Sequence, residues 1–136
     1  MFVTRAGRHD KADLQEFVST LRGEAVDTSQ GTAMIAREGA IVGCLRIIEV
    51  EPNTLVYEDL LVGEGRDESV ARQLLQAAMN NKGGTIFAAV PLQQVALLEE
   101  LGFTILEAAG APERVRARWG ESGRLEAPDL AHLTAR

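Results

Sequence analysis

The chain has 136 residues, 46% hydrophobic and 25% charged, which is the size and balance of one globular domain with its own core. A net charge of −6 and the scatter of its 14 Lys and Arg residues argue against a nucleic-acid partner. No apolar run approaches the roughly 18 residues of a membrane span, and the opening MFVTRAGRHD lacks a signal peptide's apolar stretch, so the expected location is cytoplasmic, with no membrane partner.

Phe2–Arg5 reads as a short strand. A helix follows from His9–Asp10, with Asp10 as a cap, Ala12, Leu14, Phe17, Val18 and Leu21 at helical spacing, and Gly23 as its end. After a polar connection, Thr32–Arg37 and Ala40–Val50 form a hairpin turning at Glu38-Gly39. Cys44, the single cysteine, lies in its apolar second strand and reads as a buried core residue. With only His9 and His132 beside it, no metal-ligand spacing exists. Pro52-Asn53 turns the chain into the strand Thr54–Val62, completing an antiparallel meander.

The segment TLVYEDLLVGEGRDESVARQLLQ is the most informative. Both faces of the strand are largely apolar, so it belongs inside a covered sheet, and its adjacent acids, Glu58 and Asp59, each need a partner or a role. Arg46 or another strand cation pairing with one of them is the plain reading; a general base is the sharper one. Beyond Gly63-Glu64-Gly65 a helix starts at once, with Val70, Leu74, Leu75, Ala78 and Met79 on one face, ending by Asn80–Gly84. Such a junction aims backbone N–H groups at one point where an anion can sit. Asp67 and Glu68 in the first turn equally suit a capped helix with no ligand.

Thr85–Val90 is a short apolar strand, parallel to the one before through a right-handed crossover. Pro91 opens a helix with Val95, Leu98 and Leu101 on its apolar face, ending at Gly102. Phe103–Glu107 and Arg114–Trp119 read as a last strand pair, the second with Arg114, Arg116 and Arg118 on a solvated face and an edge able to pair two subunits. The sequence thus divides into a domain over residues 1–119 and a polar tail over 120–136 with a short helix after Pro128, packed loosely or against a partner.

In this order, β-α-β-β-β-α-β-α-β-β, with the strand–loop–helix YEDLLVGEGRDESVARQLLQAA and the helix end LLEELGFTIL, nearly the whole chain resembles the GNAT N-acetyltransferase superfamily. The resemblance implies a mixed α/β fold: a central sheet of about seven strands with helices on both faces. It also implies acetyl-CoA as co-substrate. Backbone groups of Leu60, Leu61 and Val62 would pair with the pantetheine arm, and the pyrophosphate would sit on the amides of Arg66, Asp67, Glu68, Ser69, Val70 and Ala71. A primary amine of a small molecule or peptide would attack the thioester directly, with Glu58 as base through a water. Against the family's pattern, Ser69 replaces a glycine, the acids Asp67 and Glu68 oppose a pyrophosphate, and Leu92 and Leu98 stand where an asparagine and a tyrosine are usual. Those departures define the alternative, a GNAT-like binding or regulatory module that has lost catalysis.

Overall fold

The computed structural model describes residues 1–81 and 83–136. Its seven strands are β1 (Phe2–Arg5), β2 (Thr32–Glu38), β3 (Ala40–Glu51), β4 (Thr54–Val62), β5 (Thr85–Pro91), β6 (Thr104–Ile105) and β7 (Leu130–Ala135). The α-helices are α1 (Lys11–Arg22), α2 (Glu68–Asn81), α3 (Val95–Glu100) and α4 (Glu113–Glu121). The strands lie in the order β1-β2-β3-β4-β5-β7-β6, with β4 and β5 parallel, giving the mixed sheet expected of the sequence. Lys82, in the expected end of α2, lies outside the described residues. By packing, the chain divides into two compact units: Met1–Ile48 with Asp59–Lys82, and Glu49–Glu58 with Gly83–Arg136.

In the first unit, β1, β2 and β3 are antiparallel neighbours, with a bulge between Ala36 and Arg37. Leu14 and Val18 of α1 close over Ala33, Ile35, Ile41 and Cys44, with Phe17, Val26 and Leu61 at the margin. Helix α2 covers the other face, since neighbouring residues of a strand point to opposite sides and Gly43, next to Cys44, meets Val70 and Leu74. A Cβ on Gly43 would stand 2.6 Å from a Val70 methyl, so the missing side chain is what lets α2 approach β3 this closely. Asp10, expected as the cap of α1, makes no side-chain bond to that helix and instead closes the turn Arg8–Asp10 before it: its carboxylate accepts the Gly7 amide at 2.7 Å and the Arg37 guanidinium at 2.8 Å.

In the second unit, the parallel ladder runs from Thr54↔Thr85 to Tyr57↔Ala88, and β5 continues along β7 from Ile86↔Ala135 to Pro91↔Leu130. Trp119 is wholly buried, edge-on to Phe87 at 6.5 Å and against the His132 ring at 4.6 Å. Aromatic pairs of this kind add about 1 kcal/mol beyond the area they bury.

Two expectations fail here. Arg114–Trp119 is the helix α4, not an edge strand. Val115 and Trp119 are four residues apart, so the pair that alternates on a strand also stacks on one helix face, and Pro112 at the N-cap favours the helix. The arginines divide: Arg114 is exposed, Arg116 donates to the Ala111 carbonyl at 2.9 Å, and Arg118 turns inward. The segment expected as a loose tail with a short helix after Pro128 ends instead as strand β7, seated between β5 and β6. Thr134 and His132 tie it further, through Thr134 Oγ1 to the Ile86 carbonyl at 2.9 Å and His132 Nε2 to the Arg124 carbonyl at 2.8 Å.

Because Leu133 has no exposed surface, Leu133→Ala is expected to lower stability by about 2–4 kcal/mol. A urea midpoint unchanged from the parent would mean that this segment does not belong to the sheet.

Candidate functional site

Strand β4 carries the two acids that most need explaining, and each has an answer in its own unit. Asp59 takes a left-handed backbone, φ 54°, two residues after the last rung of the β4–β5 ladder. For an L residue that conformation costs about 1 kcal/mol, least for Asn and Asp, and it persists only where the surroundings hold it. Here they do. Arg46 Nη1 donates to Asp59 Oδ2 at 3.0 Å, Arg22 Nη1 to Oδ1 at 3.1 Å, and the Cys44 thiol to the Asp59 carbonyl at 3.4 Å. Arg46 is itself buried and spends another nitrogen on the Gln30 carbonyl at 3.1 Å. The strand cation anticipated as a partner is therefore Arg46, and it takes Asp59. Cys44 is inert: burial, and then the Asp59 charge, push its thiol up to about 12.

Glu58 is bound on both oxygens. Arg118 Nε donates to Oε1 at 2.8 Å and Nη2 to Oε2 at 2.7 Å, the parallel two-point geometry of a strong carboxylate–guanidinium pair, and Arg124 Nη1 stands 3.6 Å from Oε2. Its side chain is only 1% exposed. Against the expected base acting through a water, the structure places the Glu58 carboxylate buried, with a guanidinium donor on each oxygen. No local signal marks this partnership, since Glu58 and Arg118 are 60 residues apart. Nearby in the same unit, the Tyr57 hydroxyl is buried with no hydrogen-bond partner among the described residues, and burial pushes it up to about 12.

The rest of the expected site belongs to the first unit. Leu60 is buried, Leu61 and Val62 are half-buried, and Gly63 closes onto β3 by donating to the Val42 carbonyl at 2.7 Å. Gly65 takes φ 82°, which suits glycine, with open space where a side chain would stand. Arg66 leans away from the helix start to pair with Glu38 at 2.7 Å, and Glu68 pairs with Arg72 one turn on. Val70 and Ala71 face the core. Asp67 caps α2: its Oδ1 accepts the Ser69 amide at 2.9 Å and the Ser69 hydroxyl. The capping reading of these acids is thus the geometry found, and the Ser69 amide already has a carboxylate on it.

No family model and no curated protein sequence matches the chain. Solved structures match it over nearly its whole length. ElaA of Escherichia coli superposes with a TM-score of 0.72 at 11% identity, covering 99% of each chain. A GNAT-family acetyltransferase of Staphylococcus aureus Mu50 gives 0.68 at 15% identity over 98% of this chain and 97% of that one. Rv2747 of Mycobacterium tuberculosis, crystallised in complex with CoA, gives 0.66 at 15% over 99% and 98%.

Two expectations can be measured directly. Removing Arg118 alone leaves the buried Glu58 carboxylate with only the longer Arg124 contact, so Arg118→Leu should cost about 3 kcal/mol, while Glu58→Leu/Arg118→Leu together should cost clearly less; equal losses in a chemical-denaturation cycle would exclude the buried pair. The Ser69 hydroxyl and amide hold the Asp67 carboxyl below its ordinary value of 3.8. The cap is then fully present above 3.8 and is lost as pH falls through the lower folded value. A carboxyl titration followed by NMR should put the Asp67 midpoint under 3.8, and a midpoint at or above it would contradict the cap.

Across both units, from β1 to β7, the chain has the fold of the GNAT N-acetyltransferases.

Proposed function

We propose that the protein is an acyl-CoA-dependent N-acyltransferase, with acetyl-CoA as donor and a primary amine of a small molecule or peptide as acceptor. The observation that carries this reading is the left-handed kink at Asp59, beyond the last rung of the β4–β5 ladder, followed directly by the glycine loop and α2. The fold supports it, and two of the structural neighbours, Rv2747 and an N-acetylglutamate synthase of Neisseria gonorrhoeae, were crystallised with CoA.

Acetyl-CoA would supply an activated thioester. This chain's residues would do the holding: Leu60, Leu61 and Val62 through backbone groups, as an added strand would pair, and Arg66, Asp67, Glu68, Ser69, Val70 and Ala71 through amides at the start of α2. The strand suits that role; in the loop the Arg66 amide donates to the Gly63 carbonyl at 3.1 Å and the Val70 amide to the Asp67 carbonyl at 3.3 Å, and both would have to be shared. The cap requires adjustment, since the Asp67 carboxylate occupies the Ser69 amide and each acid opposes a pyrophosphate by something like ~1 kcal/mol. Ser69's hydroxyl is a donor that could turn to a phosphate in exchange.

Glu58 supports the site rather than serving as its base in this reading. Its two-point hold on Arg118 fixes α4 under the strand, and the amine's proton leaves to water. Helix α3 carries no hydroxyl from Val95 to Glu100, and Leu98 is buried, so the departing thiolate also takes its proton from water. Slow turnover follows. The closed states of Glu58 and Asp67 favour one second reading, a module that binds an acyl-CoA without turning it over.

Calorimetry with acetyl-CoA is expected to give one site per chain, and Asp67→Asn, which keeps a capping side chain but removes its charge, should bind about fivefold tighter. No heat at millimolar ligand in either protein would end both readings. Release of free CoA with an amine panel separates them: repeated turnover selects the enzyme, and binding without turnover selects the module. Turnover that collapses in Glu58→Gln, with fold and affinity intact, would return the base's role to Glu58.

A further inference from the structure

A cavity of about 230 Å³ opens in the first unit between the end of β1, the start of α1 and the approach to β2. Three cations line it, Arg5, Arg8 and Lys11, and no acidic residue does. In a chain of net charge −6 this is unusual, because the other cations of this unit are mostly spent: Arg22 and Arg46 on Asp59, Arg37 on Asp10, Arg66 on Glu38 and Arg72 on Glu68. The side chains of Arg5, Arg8 and Lys11 have no ion-pair or hydrogen-bond partner among the described residues. The carboxylates next in sequence to lining residues have partners of their own, Asp10 in Gly7 and Arg37, and Asp27 in the Ser29 amide.

The walls are preformed. Ala6 donates its amide to the Ala33 carbonyl at 2.8 Å, and the Gly7–Asp10 bond fixes the turn that presents Arg8. On the opposite wall Gly31 takes φ 77°, and a Cβ there would stand 2.4 Å from the Ile47 carbonyl oxygen, so that backbone is pressed onto β3. Thr28 and Thr32 add hydroxyls, and buried Leu14 contributes an apolar surface.

We infer that this cavity is a binding site for a small phosphate-bearing molecule, a phosphate monoester of a few carbons, held by Arg5, Arg8 and Lys11. Guanidinium groups grip tetrahedral oxyanions at two points, hydroxyls complete the shell, and the volume falls below the roughly 300 Å³ at which drug-sized pockets begin. It is not the pyrophosphate position under another name. The cavity lies at the Thr32 end of β2, whereas the start of α2 is tied to the other end through Arg66 and Glu38. A seven-residue strand separates those ends by roughly 20 Å.

The test uses the whole chain without CoA, titrated with inorganic phosphate and separately with succinate at constant ionic strength, followed by amide NMR. Phosphate is expected to shift the amides of Gly7, Arg8, Ser29 and Thr32 saturably in the millimolar range, and Arg5→Gln/Arg8→Gln should weaken it about tenfold or more. Both side chains are exposed, so the variant should fold as the parent does. Shifts that never saturate, or that appear equally at the solitary cations Arg114 and Arg136, would reduce the effect to general screening and overturn the site. Succinate binding as tightly as phosphate would overturn the ligand class. None of these readings involves α2, so failure here leaves the acyl-CoA proposal standing, and the reverse holds as well.

Discussion

The first unit depends on one aspartate kept in a backbone shape that its residue type disfavours. Asp59 stays left-handed because two guanidinium groups, one from β3 and one from the end of α1, hold its carboxylate, while the Cys44 thiol reaches its carbonyl. The arrangement is mutual. Arg46 is buried in a sheet where an unpaired cation would be costly, so the charge that stabilises the kink is also the charge that permits Arg46 to be there. Losing Asp59 would take the shared carboxylate from both arginines, and losing either arginine would leave that carboxylate one guanidinium donor in place of two, which makes the kink a cooperative feature and not a local accident.

Charge is distributed economically through the rest of the molecule. Glu58, next in sequence to Asp59, is satisfied separately by Arg118 and Arg124 in the second unit. At the start of α2 the acids serve the helix itself: Asp67 takes Ser69 and Glu68 takes Arg72. A surface this thoroughly paired makes the few cations left over informative, and three of them share one cavity.

The sequence reads well where chemistry is local. Strand β4 lies where its apolar faces placed it, from Thr54 to Val62, and the cap on α2 follows from an aspartate ahead of a helical stripe. It reads poorly where a pattern fits two periods or where partners are distant. Val115 and Trp119 satisfy a strand's alternation and a helix's stacking alike, and β7 is six residues with polar positions that give no long apolar run. Nothing near Glu58 announces Arg118, and nothing in the letters YEDLL marks Asp59 as the residue whose backbone turns left-handed. Both depend on tertiary geometry that no window of neighbouring residues contains.

The seating of β7 has a kinetic implication. Pro91 and Leu130 face each other across the β5–β7 ladder, so closing that ladder ties a loop of about forty residues, whose entropy must be spent before any rung repays it. Until it closes, both β5 and the two-residue β6 present open hydrogen-bonding edges beside a tryptophan core. Pairing with the wrong chain competes with native docking only while that last strand is unplaced.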